Sequence, residues 1–188
     1  AGREPTDYIN SKLILMWGWS PADGTFGTGT PQYLKHAKEH GARIVSVDPR
    51  RQRSSKMLAD EHIFIRPSTD AAALIAMAWV IVSEGLHDQA YLAAHVAQKT
   101  PEWAAEITGI PAETIRRLAI EFGSTKPAAI QCGYAPGRTL HGEQFHRAAY
   151  ALAAITGNVG VTGGSSGVSN GATGRSGVKS LPGGKNPI

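Results

Sequence analysis

Cysteine is almost absent from the 188 residues: Cys132 stands alone. One thiol excludes an intrachain disulfide, a four-cysteine zinc site and an iron–sulfur site built by this chain, and it leaves the redox compartment open. A long apolar run is missing as well. The most apolar window, Ala71 to Val82, falls well short of the ~20 residues that cross a bilayer, and no segment has the layout of a signal peptide. Concentrated charge is also lacking. The 19 basic and 15 acidic residues leave a net charge of +4 spread along the chain, which argues against nucleic acid as a partner. What remains, 41% apolar and 18% charged, is ordinary for a globular chain that buries a core.

The most informative stretch runs from Lys12 to Arg50. Leu13 to Trp17 is a short apolar run that stops at Gly18, and Gly24, Gly27 and Gly29 follow before a helical pattern opens near Pro31. Pro31 suits a first helical turn, Gly41 suits the stop, and Ile44 to Val47 reads as a second buried strand. Glycines between a strand and a helix let backbone N–H groups approach phosphate oxygens, and the helix start adds its dipole. Asp48 follows Gly29 by about 20 residues, the separation at which dinucleotide folds place a carboxylate for ribose hydroxyls. The glycine order is G-x-x-G-x-G, not the G-x-G-x-x-G of an NAD fingerprint, so an NAD-type dehydrogenase is disfavoured.

Farther along, His62 to Arg66 predicts a third strand closed by Pro67, and Ala71 to Glu84 predicts a helix apolar nearly all round and therefore covered on both sides. A short helix is expected over Asp88 to Ala97. Thr100 is an N-cap before Pro101, with Gly109 as the stop, and Pro111 to Phe122 forms the next helix, ended by Gly123. Ala128 to Cys132 reads as a strand leading through a glycine-bearing loop, Gly133 to Arg138, into a helix from about Gly142 to Thr156. From Gly157 onward glycines dominate and no periodicity survives.

Several residues have two readings. His36 and His40 share a helix face at metal-ligand spacing, but no third ligand is nearby and a solvated face is the simpler account. Ser165 sits in a formal G-x-S-x-G, yet it follows no strand and opens no helix. Cys132 fits a core strand better than a nucleophile. Asp70 is either a helix cap or a carboxylate that accepts from a guanine-like edge, and Arg50 and Arg138 are either solvated or at ligand-collecting strand ends.

The stretches WGWSPADGTFG, VDPR, RPSTDAAALIAMAWVIVSEGLHDQAYL, TPEWAAEITGIPAETIRRLA, HGEQ and TGNVGVTGG, in this order, resemble the catalytic subunits of molybdopterin oxidoreductases of the dimethyl sulfoxide reductase type. The resemblance implies a molybdopterin guanine dinucleotide lying across the segment, one of the two that hold molybdenum in the parent's Mo-bis-MGD. Carried over residue by residue, it implies cofactor contacts at Trp17, Gly18, Ser20, Pro21, Asp23 and Gly24 in the first loop, with serine at 20 where asparagine is frequent. It implies ribose and guanine contacts at Asp48, Pro49, Arg50 and, where the family has P-G-T-D, at Ser68, Thr69 and Asp70. A pterin-side loop corresponds to Gly133, Tyr134 and Arg138, with Gly137 in place of a glutamine.

The family's iron–sulfur cysteines and molybdenum ligand lie upstream of the WGWSP turn, so no catalytic residue or metal ligand is expected in this chain. It reads as an internal segment of such a subunit, shortened between Val96 and Thr100. The parent enzyme would reduce an S-oxide or N-oxide in anaerobic respiration. Its implied partners are the rest of the catalytic subunit, an iron–sulfur electron-transfer subunit and a membrane anchor, in the periplasm or on a bacterial or archaeal inner membrane. A free-standing nucleotide-binding or regulatory module without catalysis is the alternative. The expected fold is α/β: a mainly parallel, Rossmann-like sheet with helices on both faces over residues 1–98, a second, smaller α/β unit over 99–164, and a Gly/Ser-rich tail over 165–188.

Overall fold

The computed structural model describes residues 5–24, 29–87 and 99–165. The helix expected at Asp88 to Ala97, Gly27 of the first loop and the tail from residue 166 lie outside the described residues.

Four strands form one parallel sheet in the order β3-β2-β1-β4. These are β1 (Leu13–Trp17), β2 (Arg43–Val47), β3 (Glu61–Ile63) and β4 (Ala128–Cys132). β1 lies centrally, with Trp17 in register with Val47 on one side and Cys132 on the other. Because successive side chains of a strand point to opposite faces, β1 divides its residues between two cores. Ile14 and Met16 meet Leu34 and Ala37 of α1 (Thr30–Glu39) and Leu58 of α2 (Arg53–Leu58). Leu13, Leu15 and Trp17 face α3 (Asp70–Ser83), α4 (Pro101–Thr108), α5 (Ala112–Ser124) and α6 (Glu143–Ile155). The architecture is thus the parallel α/β sheet with helices on both faces that the sequence leads one to expect. Its smaller α/β unit joins the first through the β1–β4 ladder, so the two share one sheet.

Local expectations hold where side chains close to each other in sequence decide them. Thr100 caps α4, its Oγ1 accepting from the Trp103 N–H at 3.3 Å, and Gly109 ends the helix at φ 75°. Three expectations need correction, and one further element, α2, is not anticipated. The third strand ends at Ile63 and not near Arg66, because the Arg66 N–H leaves the sheet to donate to the Thr108 carbonyl at 2.8 Å. Gly123 does not stop α5 but lies inside it, where a Cβ would come within 3.2 Å of Ile81 and Leu86. α3 is not covered all round: Ile75 is 37% exposed and Trp79 and Val82 are half-buried, so one stripe faces outward. α2 has no sequence signal of its own, since its first N–H groups find acceptors outside the helix, at Asp23 and Ser20.

The glycine-rich stretch after Gly157 also differs from the featureless run expected. Residues 158–165 fold along the outer edge of β4. There Asn158 Oδ1 accepts from the Ala128 N–H at 3.0 Å and Ser165 Oγ from the Ile130 N–H at 2.9 Å. An unpaired strand edge invites pairing with another chain, and these two side chains occupy the donors that would do so. The Gly163 N–H donates to Asp7 and its carbonyl accepts from Ser11, which fastens the same segment to the start of the chain. Asn158→Ala leaves the buried Ala128 N–H without its acceptor. It should therefore lower stability by about 1–3 kcal/mol in urea unfolding, and an unchanged midpoint would show that the segment only rests on the sheet.

Candidate functional site

All four strands run the same way, so their carboxyl ends share one edge, the place where ligands of open α/β sheets collect. A crevice of about 270 Å³ opens there, lined by Gly18 after β1, Asp48 to Arg50 and Gln52 after β2, Pro67, Ser68 and Asp70 before and at the start of α3, and Ala135, Pro136 and Thr139 after β4. Its size suits one nucleoside, being close to the lower end of the ~300–1,000 Å³ usual for small-molecule pockets.

The closeness of the two central strand ends forces their chemistry. The Gly133 N–H donates to the Trp17 carbonyl at 2.7 Å, and a Cβ at residue 133 would fall 1.4 Å from the Gly18 carbonyl oxygen, a position no side chain can share. Gly18 has φ 56°, and a Cβ there would strike Pro136 at 2.7 Å. Glycine at both places lets the loops after β1 and β4 close one wall of the crevice.

Two buried carboxylates face this space, each 5% exposed. Asp48 accepts from the Arg50 N–H at 3.1 Å and from Gln52 Nε2 at 2.6 Å, so the turn after β2 is wound around its own aspartate. Asp70 is the first residue of α3, with Thr69 at the N-cap position. Asp70 Oδ1 accepts from Trp17 Nε1 at 2.8 Å. Burial pushes the Asp70 carboxyl above the usual carboxylate range, the Trp17 hydrogen bond pulls it back, and the charge of Asp48 pushes it up again. Cys132 lies buried close by, its thiol pushed up to about 12 by burial and by the Asp70 charge, which makes it a core residue and no nucleophile.

Of the residues singled out from sequence, Gly18, Asp48, Pro49, Arg50, Ser68 and Asp70 come together in the crevice. Trp17 is fully buried and reaches it only through Asp70. Ser20 and Asp23 do not line it. Ser20 Oγ donates to Asp23 Oδ2 at 2.6 Å, and the two accept from the first N–H groups of α2. Pro21 and Gly24 belong to this same turn, away from the crevice lining, and Thr69 Oγ1 donates back to the Arg66 carbonyl at 2.7 Å. Gly133 lies behind the wall, and Tyr134 and Arg138 are exposed on the loop beyond it. Sequence reasoning missed Gln52 and Thr139; for Gln52 the signal is its place four residues after Asp48, within reach of the carboxylate.

His36 and His40 lie on an exposed face, with His40 Nδ1 2.8 Å from the His36 carbonyl, and no group of three metal-ligating side chains occurs among the described residues. Ser165 is buried against β4, far from an activated serine.

Ser68 adopts φ 67°, the left-handed region where a Cβ is penalised. This explains why a P-G-T-D turn has glycine there. Ser68→Gly should raise stability by up to about 1 kcal/mol, the relief of strain less the added freedom of the unfolded chain, as read from the urea midpoint. A fall in stability would mean that the serine hydroxyl makes up for the strain.

Comparison with known proteins bears on what such a crevice holds. The molybdopterin oxidoreductase family profile matches residues 4–187. The chain is 38% identical over 218 aligned positions to the probable dimethyl sulfoxide reductase chain YnfF of Escherichia coli (strain K12), covering 100% of this chain and 27% of that protein. It is 39% identical to dimethyl sulfoxide reductase DmsA of the same organism, covering 91% and 25%, and 30% identical to the dimethyl sulfoxide/trimethylamine N-oxide reductase of Rhodobacter capsulatus, covering 85% and 22%. The chain thus spans about a quarter of the length of these relatives. Acetylene hydratase from Pelobacter acetylenicus shares the fold, with TM-score 0.70 and 24% identity over 86% of this chain and 25% of that one.

Proposed function

We propose, because the chain belongs to the molybdopterin oxidoreductase family, that its strand-end crevice binds the guanine nucleoside end of a molybdopterin guanine dinucleotide. The observation that carries this reading is the pair of buried carboxylates, Asp48 and Asp70, that both line one nucleoside-sized space. A carboxylate is an acceptor with two oxygens and about four lone-pair sites. Asp70 therefore takes the adjacent N–H groups of a guanine edge, and Asp48 takes ribose hydroxyls. An adenine offers no such pair of donors beside each other. Arg50, on the crevice wall, offsets the negative charge of the diphosphate, and the glycine pair at 18 and 133 lets backbone come close without a side chain in the way.

The residues fit such a group on one further ground. Asp70 is buried, yet a donor holds one of its oxygens from behind, an arrangement that favours an acceptor aimed at a ligand over a solvated charge. When bound, the cofactor supplies oxygen-atom and two-electron transfer at molybdenum; the protein supplies position and electrostatics. In this chain, Asp48 and Asp70 orient the nucleoside, Ala135 and Pro136 shield its face from water, and Tyr134 and Arg138 reach toward the pterin side. The parent enzyme is then a dimethyl sulfoxide reductase-like reductase of an S-oxide or N-oxide. It works with the remainder of its catalytic subunit, an iron–sulfur electron-transfer subunit and a membrane anchor, on the periplasmic side of an inner membrane. No helix among the described residues is long and apolar enough to cross a membrane.

Two outcomes follow. Asp70→Asn keeps the shape but replaces one acceptor with a donor facing a guanine N–H. It should weaken GDP by about 1–3 kcal/mol in titration calorimetry and leave ADP almost unchanged. Equal losses for both bases, or none, would return Asp70 to a structural role. The chain alone should also stay at background in a reduced-viologen assay with dimethyl sulfoxide, and turnover by the pure protein would contradict the division of labour proposed here.

A further inference from the structure

Trp17 is the bulkiest fully buried side chain, and its place is over-determined. Its backbone is in register with Val47 and Cys132 on either side, and its ring packs against Phe145 of α6 at 6.5 Å between centroids. An indole fixed in this way points its single N–H in one direction, and that direction ends on Asp70 Oδ1 at 2.8 Å. The indole nitrogen only donates, so it favours an Asp70 that accepts with both oxygens.

We propose that Trp17 is the positioning residue for base selection, its indole N–H holding Asp70 in the orientation and the acceptor-only form that a guanine edge requires. The inference rests on the guanine reading above and deepens it, because base preference then depends on a side chain that does not itself line the crevice. Oδ1 accepts from Trp17 with one lone pair and keeps another, so both carboxylate oxygens remain available to adjacent N–H groups. The charged and titratable groups around this carboxylate are Asp48 and Arg50 after β2 and the Cys132 thiol on β4. Burial, and after it the charge of Asp48, favours protonated Asp70, and the Trp17 hydrogen bond together with that from the Asp70 backbone N–H opposes them. A protonated Asp70 would present an O–H toward a guanine N–H, donor against donor. Guanine binding should therefore fail as the pH falls through the Asp70 pKa. Without the indole N–H that pKa rises, so the failure should begin at higher pH.

The test is calorimetric titration of the full chain with GDP and with ADP across a pH series, for the natural protein, for Trp17→Phe, and for the chain carrying benzothienylalanine at position 17. That last analogue keeps the size and shape of the indole and replaces its N–H with sulfur, so it separates the hydrogen bond from packing if Trp17→Phe fails to fold. ADP has the same ionising phosphates and removes their contribution. The expected result is a roughly tenfold loss of GDP affinity near neutral pH, as for one charge-assisted hydrogen bond, with an acid limb moved to higher pH and ADP unaffected. A natural protein that does not prefer GDP overturns the guanine reading and this inference together. A natural protein that prefers GDP, with an analogue that keeps the same preference and the same acid limb, overturns the role of Trp17 alone. Equal loss of both nucleotides at every pH also overturns it, because packing then accounts for the effect.

Discussion

A parallel sheet has one edge at which its strands finish, and that directionality is the constraint from which the candidate site follows. β1, β2 and β4 end side by side, with the Gly18 N–H bonded to the Val47 carbonyl and the Gly133 N–H to the Trp17 carbonyl just past the strands. Loops leaving three adjacent strands in the same direction have to meet. The crevice is therefore a consequence of topology, and the side chains set what it can hold. The approach of the β1 and β4 ends is so close that residues 18 and 133 tolerate no Cβ, and the chain has glycine at both.

The two ends of the sheet are built differently. At the amino ends, Arg43 bridges Glu61 and Glu121, and Arg117 bonds the same two carboxylates, which ties β2, β3 and α5 by charge on the molecular surface. At the carboxyl ends the acids are buried and are met, among the described residues, by neutral donors: the indole of Trp17, the amide of Gln52 and the backbone N–H of Arg50. A bidentate ion pair would engage both oxygens and cancel the charge, whereas one or two neutral donors leave the charge and acceptor capacity in place. That difference separates an end that holds the fold together from an end prepared to accept hydrogen bonds from something else.

Much of this was legible in the sequence wherever one segment suffices to decide. The strand at Leu13–Trp17, the Thr100 cap and the inward stripe of α5 follow from periodicity and capping chemistry. What was not legible depends on partners distant in sequence. α2 starts because Ser20 and Asp23 accept its first N–H groups, β3 is cut short because Arg66 finds Thr108, and Asn158 and Ser165 seal β4. The same rule holds within the site. Asp48 and Asp70 could be named from their places after β2 and at the start of α3, but the indole behind Asp70 comes from a residue 53 positions away, for which no local pattern exists.

The central claim is that the strand-end crevice is the nucleotide site. A second concavity, between α1 and α2, is lined by Pro31, Gln32, Lys35, Lys38, Glu39, Met57 and Leu58, and its two lysines are already paired, with Glu39 and Asp60. The most direct measurement is a map of backbone amide chemical shifts in 15N-labelled protein titrated with GDP. The account predicts that Gly18, Asp48, Arg50, Ser68, Asp70 and Thr139 shift together with one dissociation constant while Gln32, Lys35 and Met57 stay still. Shifts confined to the α1–α2 groove, with the strand-end amides silent, would contradict it.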